Sequence, residues 1–211
     1  MQKSDLKSQA EHNTMTLSGK GQVTAVPDLA MLRLGVLTSG ENLVDVQNEN
    51  AKISQAVLQS LQQLGITDIK TYEYEINKLY EYEDSKRIDK GYSVRNILEI
   101  KTDHLGQVGN VIDTAVYYGA NIVDLIEFDV LEKEGYYLDA LDLAVENAIK
   151  KADTVARSIG LTNAPVPTQI IEIGTIPVTT RLLGSREGAS ATPIEPGSKQ
   201  VEANVNIVFT F

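Results

Sequence analysis

Few residues of this chain have the type and spacing that chemistry requires. His104 stands at the start of an expected helix beside Asp103, with Thr102 as the neighbouring hydroxyl. A general base needs a carboxylate to orient it and a nucleophile within reach, and this neighbourhood supplies no serine. His12 lies in a polar N-terminal stretch. The sequence has 0 cysteines, which removes disulfides, thiolate nucleophiles, iron–sulfur clusters and zinc fingers. Carboxylates pair at Glu73/Glu75, Glu81/Glu83 and Glu127/Asp129. On a strand, that i, i+2 spacing sets each pair on one face, as a hydrolase or a calcium site could use. A solvated strand face has the same pattern, and no D-x-D-x-D-G loop is present to organise a cation. Gly19-Lys20-Gly21 resembles the start of a phosphate loop, but such a loop must lead into a helix N-terminus. Here Gln22–Val26 continues as a strand, so the glycines are expected to permit a bulge or a close backbone approach. No catalytic residue, cofactor or metal ligand set emerges, and the chain is expected not to be an enzyme.

Charge and hydropathy narrow the partners. Lys and Arg total 19 against 29 Asp and Glu, a net charge of −10 that repels a phosphate backbone, so nucleic acid is not expected as a partner. The longest uncharged stretches, Ile53–Thr67 and Ser158–Ile171, are broken by glutamines and prolines and cannot supply the roughly 18 apolar residues of a membrane span. Residues 1–13 are polar, without the apolar centre of a signal peptide, and are expected to be a flexible tail. A cytosolic chain and a chain whose export signal was removed both fit. Tyrosine is the biased residue, at 9 against 3 Phe and 0 Trp. Tyr72, Tyr74, Tyr80, Tyr82 and Tyr92 concentrate on one expected hairpin. Tyrosine gives large amphipathic contact area and is enriched at interfaces, so these five are the candidate interface residues. Base stacking is opposed by Glu73, Glu75, Glu81 and Glu83 between them.

The elements that would carry these residues read as follows. Thr14–Val26 and Ala30–Thr38 are strands joined by a Pro27-Asp28 turn, whose Asp should accept local backbone hydrogen bonds. Glu41–Leu64 has the helical stripe Leu43, Val46, Ile53, Val57, Leu61 and Leu64, closed by Gly65. Ile66–Tyr82 and Gly91–Lys101 form a long antiparallel hairpin, with Tyr72, Tyr74 and Ile76 on one face and Glu83–Lys90 as its loop. A helix capped by Thr102 or Asp103 ends near Gly119, and Asn121–Val130 is a strand. Glu134–Ile159 is a helix with the stripe Leu138, Leu141, Val145, Ala148, Ala152, Val155 and Ile159. Gln169–Ile176 is a strand. Pro177–Gly197 is a loop holding Pro177, Pro193 and Pro196, of a length that is usually functional or mobile. Val201, Ala203, Val205, Ile207, Phe209 and Phe211 mark a closing strand of period two. The expected class is α+β, a mainly antiparallel sheet with about three helices on one face in the order β-β-α-β-β-α-β-α-β-β. Residues 14–211 make one domain, or two packed α/β subdomains.

Several segments, in this order along the chain, resemble the SIMPL-domain family, which includes bacterial periplasmic and outer-membrane-associated immunogenic antigens. They are Gly19-Lys20-Gly21 with Val26-Pro27-Asp28 and Gly35-Val36; Asn50; Leu64-Gly65-Ile66 leading through Thr71 into the Tyr72–Ile76 strand; and Gly91-Tyr92-Ser93-Val94. Asp113–Gly119, Ala140 with Ala144-Val145, Ala148 and Lys151-Ala152, and Pro193-Ile194-Glu195-Pro196-Gly197 complete the set. The resemblance implies an α/β fold, a periplasmic or cell-envelope location in bacterial members, homo-oligomers of ring or channel form, a link to stress response in some members, and no catalytic residue set to carry over. The leading expectation is therefore a non-enzymatic envelope protein that self-associates through strand edges and the tyrosine-bearing hairpin. The alternative is a soluble binding module or adaptor for a protein partner or a small apolar ligand, with the 177–197 loop as a lid. A carboxylate-dependent hydrolase would need two of the paired carboxylates to converge in a pocket.

Overall fold

The computed structural model describes residues 13–173, 179–181 and 192–211. The expected 1–13 tail and most of the 177–197 loop lie outside the described residues. The elements run β1 (Thr14–Ala25), β2 (Leu29–Gly40), α1 (Leu43–Gln63), β3 (Asp68–Glu83), β4 (Lys86–Thr102), α2 (Val108–Tyr117), β5 (Ile122–Asp129), α3 (Lys133–Ser158), β6 (Val166–Glu172), β7 (Thr179–Arg181) and β8 (Ser198–Thr210). This is the expected α+β class and order, with the short β7 added. The strands form two sheets, both antiparallel in every fully registered pair, and the chain divides into two compact units.

The first unit holds residues 13–25, 132–173, 179–180 and 199–211. Its sheet has the order β1-β8-β6, with β7 also pairing with β8. The period-two pattern of β8 is realised residue by residue: Val201, Ala203, Val205, Ile207 and Phe209 are buried and their neighbours are not. Helix α3 packs on β1, and here the structure corrects the sequence reading. The buried stripe is Ala140, Ala144, Ala148, Ala152 and Ala156. Of the expected stripe only Ala148 and Ala152 are buried; Leu141, Val145 and Val155 are half-buried, and Leu138 and Ile159 are exposed. The cause lies on the strand. A Cβ on Gly19 would stand 1.9 Å from the Ala144 carbonyl oxygen, and one on Gly21 would stand 1.8 Å from that of Ala140. Two glycines facing a run of alanines bring helix and strand backbones so close that larger side chains are displaced to the flanks. Lys151 Nζ donates to the Ser18 carbonyl at 2.7 Å, and Lys20 pairs with Glu202 at 2.7 Å.

The second unit holds residues 26–131, 181 and 192–198. Its sheet has the order β3-β4-β2-β5. Ala30, Leu32, Leu34 and Val36 of β2 and Leu98 and Ile100 of β4 pack with Val57 and Leu61 of α1 and with Val108, Val111, Ile112 and Ala115 of α2. Asn42 caps α1, its Oδ1 accepting from the Val44 N–H at 2.9 Å, and Gly65 closes it at φ +85°. The seven-residue step between Val46 and Ile53 in the expected stripe is filled by a polar residue. Asn50 is fully buried; its Nδ2 donates to the carbonyls of Val36 and Val94 at 3.0 and 2.9 Å, and its Oδ1 accepts from Ser54 at 3.2 Å. One side chain thus ties α1 to β2 and β4. Asp28 does more than make a local turn, because its Oδ1 accepts from the Leu131 N–H at 2.8 Å, on the far side of β5. The expected cap of α2 is displaced too. Thr102 Oγ1 accepts from the His104 N–H at 3.1 Å, and a 3₁₀ turn over Leu105–Gln107 precedes α2, whose N-cap Gln107 makes no side-chain cap bond.

Candidate interaction surface

The five tyrosines singled out by the sequence sit on the β3–β4 hairpin, whose form differs from the expected one. Glu83–Lys90 is not a loop. β3 runs to Glu83 and β4 restarts at Lys86, joined by Asp84 and Ser85 at φ +49° and +64°. Two residues of positive φ make the type I′ connection whose twist matches the strands. The charged composition of this stretch hid the strands, since cross-strand pairing, not hydrophobic alternation, carries them. β2 pairs with β4 from Tyr92 to Thr102, so the hairpin from Leu79 to Gly91 extends past β2 and, among the described residues, pairs only with itself.

Two bulges interrupt the β3–β4 ladder, and the first divides the tyrosines. The first lies between Thr71 and Glu73, and it turns Tyr72 away from Tyr74 and Ile76 onto the opposite face of the sheet. The expected shared face of Tyr72 and Tyr74 is therefore broken. The Arg33 guanidinium stacks 3.6 Å from the Tyr72 ring centroid. Arg33 also donates through Nε and an Nη to Glu99 at 2.9 and 2.8 Å, and Lys70 Nζ meets the other Glu99 oxygen at 2.9 Å. Glu99 is buried, and its hydrogen bonds from Lys70 and then Arg33 hold its carboxyl below the usual range. Nothing in the sequence marked this four-residue cluster, because its members come from three strands.

The second bulge lies between Lys78 and Tyr80, where Gly91 takes φ +89°. A Cβ on Gly91 would stand 2.1 Å from the Gly40 carbonyl oxygen, so only glycine fits. The extra residue lies on β4, so Tyr74, Ile76, Lys78, Tyr80 and Tyr82 of β3 share one face on both sides of it, with Tyr92, Asp89 and Arg87 across the ladder. Lys78 Nζ pairs with Asp89 at 2.7 Å and lies 5.6 and 5.4 Å from the Tyr80 and Tyr92 rings; Arg87 lies 3.9 Å from Tyr80. The Asp89 hydrogen bond raises the Lys78 pKa and, reciprocally, lowers that of Asp89. Tyr74, Ile76, Tyr80 and Tyr82 are all exposed, Tyr82 by 72%. The result is a stiffened two-stranded ribbon with an exposed aromatic face.

Glu73 pairs with Arg95 at 3.2 Å, Glu75 accepts from Asn77 at 3.2 Å, and Glu81 pairs with Lys90 at 2.6 Å. Glu127 and Asp129 point from β5 beside Met31 and Leu29. The cavity of about 440 Å³ beside the hairpin is lined by Glu41, Asp89, Lys90, Gly91 and Tyr92, and none of the paired carboxylates reaches it. His104 lies 3.5 Å from Asp103 and is largely exposed, while His12 lies outside the described residues. Gly19 and Gly21 serve the close approach to α3 and cradle no phosphate loop, since β1 continues to Ala25. Among the described residues no group of three or more His, Cys, Asp or Glu is placed to hold a metal, and no helix is long and apolar enough to cross a membrane. At the end of the 177–197 stretch, Thr192 donates through N and Oγ1 to Asp113 at 2.9 and 2.5 Å, which lowers the Asp113 pKa, and Ile194 packs against the core of its unit. The exposed pair Tyr117–Tyr118, edge to face at 5.3 Å, also lay outside the sequence reading.

Two antiparallel sheets with their own helices, one of them bearing a β3–β4 hairpin with an exposed aromatic face, define an α+β protein. Residues 15–209 match the family described as "SIMPL: Protein of unknown function (DUF541)", and the chain belongs to that family. It is 28% identical over 221 residues to the 26 kDa periplasmic immunogenic protein of Brucella abortus (strain S19), covering 95% of this chain and 88% of that protein. It is 26% identical over 151 residues to the uncharacterized protein YggE of Escherichia coli (strain K12), which covers 71% of this chain and 61% of YggE.

Proposed function

We propose that this chain is a non-enzymatic protein of the periplasm or cell envelope that self-associates into a homo-oligomer through the tyrosine-bearing face of the β3–β4 hairpin. The carrying observation is the ribbon that extends past β2 with Tyr74, Ile76, Tyr80 and Tyr82 exposed on one face. Such a cluster of tyrosines beside an arginine has the composition of interaction hot spots. The Lys78–Asp89 and Arg87–Tyr80 contacts hold the ribbon in shape beforehand, which lowers the ordering cost of association. The compartment is supported by the periplasmic relative in Brucella. Tyr72, half exposed on the other face with Arg33 stacked on its ring, stands apart from this contact.

The test is sedimentation velocity of the Tyr74→Ser, Tyr82→Ser double variant beside the parent chain. Both positions are exposed, so folding is retained and the circular dichroism spectrum is unchanged. The expected result is a smaller assembly or one that forms only at higher concentration. An assembly of equal size and affinity removes the hairpin face from the contact.

A further inference from the structure

The hairpin has an edge as well as a face. β3 is the first strand of its sheet and pairs only with β4, so from Glu73 to Glu83 the backbone N–H and C=O groups of its outer side meet no described strand. Long exposed edges of this kind are templates for strand addition unless something blocks them. No proline interrupts β3, and nearly every residue from Tyr72 to Glu83 is exposed.

The side chains along this edge select what can be added. Tyr74, Ile76, Lys78, Tyr80 and Tyr82 point to one face; Glu73, Glu75, Asn77, Leu79, Glu81 and Glu83 point to the other. A second copy of β3 is a poor match. The full antiparallel register sets Glu73 against Glu83, Glu75 against Glu81 and Lys78 against its own equivalent. A shift of two residues one way opposes Glu73 and Glu81, and the other way Glu75 and Glu83. Registers without a glutamate pair give up the ends of the strand. Like charges directly opposite each other destabilise a ladder. Among the described residues Arg95 answers Glu73 and Lys90 answers Glu81, whereas Glu75 meets only Asn77 and the Glu83 side chain meets no partner.

We propose that the outer edge of β3 accepts an extended peptide segment in which basic and apolar residues alternate, adding it as a fifth, antiparallel strand. The basic residues lie beside Glu75 and Glu83, and the apolar ones lie beside Tyr74, Ile76 and Tyr80. This docking uses the backbone edge and the acidic face and touches the aromatic face only along its flank, so its failure is read from peptide binding and that of self-association from the particle mass.

The probe is a capped peptide alternating lysine and valine, with one tryptophan as reporter, since the chain has 0 Trp of its own. Its control is a peptide of the same composition in scrambled order. The expected result is saturable binding of the alternating peptide, weaker binding of the scrambled one, and slowed amide exchange at alternate residues of β3 only when the alternating peptide is present. In the Glu75→Lys, Glu83→Lys variant the alternating peptide should lose about tenfold in affinity, and a glutamate–valine peptide should gain by a similar factor. Equal binding of alternating and scrambled peptides would show counterion attraction alone and overturn the proposal. So would absence of binding, or β3 amide protection that rises with protein concentration in the absence of peptide, which would place a second copy on the edge.

Discussion

Substituting Gly21 with alanine tests the seating of α3 on β1 through a single methyl group. In the structure that methyl would stand 1.8 Å from the Ala140 carbonyl oxygen and 2.5 Å from the Ala144 nitrogen. An ordinary carbon–oxygen contact is about 3.4 Å, so the helix must withdraw by about 1.5 Å or the strand must bend. A gap of even about 0.5–1 Å forfeits a quarter to a half of each dispersion contact it opens. Five buried alanines line this seam, and they have no longer side chain to refill it. Overpacking usually costs about 1–3 kcal/mol, and a clash with backbone on both sides falls at the upper end. At about 2–4 °C per kcal/mol for a chain of this size, calorimetry should show a melting temperature lower by roughly 6–12 °C. Gly135→Ala is the internal control. It lies in the same helix, where an added Cβ meets nothing within 4 Å, and alanine favours the helix by about 0.5–1 kcal/mol over glycine. It should hold or raise the melting temperature. If Gly21→Ala melts within a degree of the parent, the close approach of α3 to β1 is wrong.

Further outcomes follow from polar groups in the second unit. Glu99→Gln removes the anion between Arg33 and Lys70 and should cost about 1–3 kcal/mol, read as a lower urea midpoint; an unchanged midpoint would show that the cluster contributes nothing. Because the folded pKa of Glu99 is depressed, its contribution is complete above the unfolded carboxylate pKa of about 4.3 and is lost as pH falls through the lower folded value. The Gln variant should therefore show a flatter loss of stability between about pH 5 and pH 2 than the parent, and parallel curves would refute the assignment. Asn50→Ala strips the Val36 and Val94 carbonyls of a buried donor and should cost about 2–4 kcal/mol by urea unfolding, whereas the exposed Asn77→Ala should stay within about 0.5 kcal/mol.

How much of this was legible in the sequence depended on which force set each element. β8 was plain because burial on one side of a sheet imposes period two, and Val201 to Phe209 obey it. The helix boundaries at Gly65, Gly119 and Gly160 were readable because each glycine takes a positive φ that other residues resist. The face of α3 was misread for a reason local to this chain. Leucines and valines usually mark the buried stripe, but Gly19 and Gly21 on a distant strand admit only alanine, and that pairing is invisible along one segment. The hairpin turn was lost in charged residues, because Asp84 and Ser85 carry a turn type that favours Asn-Gly or Asp-Gly. Tyr72 left the expected face through a bulge that no residue type announces. For the candidate surface, the five tyrosines were legible as one hairpin, whereas the Arg33–Glu99–Lys70–Tyr72 cluster needed the register of three strands. Gly19-Lys20-Gly21 was expected to permit a close backbone approach, and its glycines face Ala144 and Ala140 of α3.

Association through the aromatic ribbon, as proposed, sets the mass of the particle in solution. Multi-angle light scattering of the purified chain, followed from low to high micromolar concentration, should give a mass that is a multiple of the 23.1 kDa protomer. A mass of one protomer throughout that range would contradict the account.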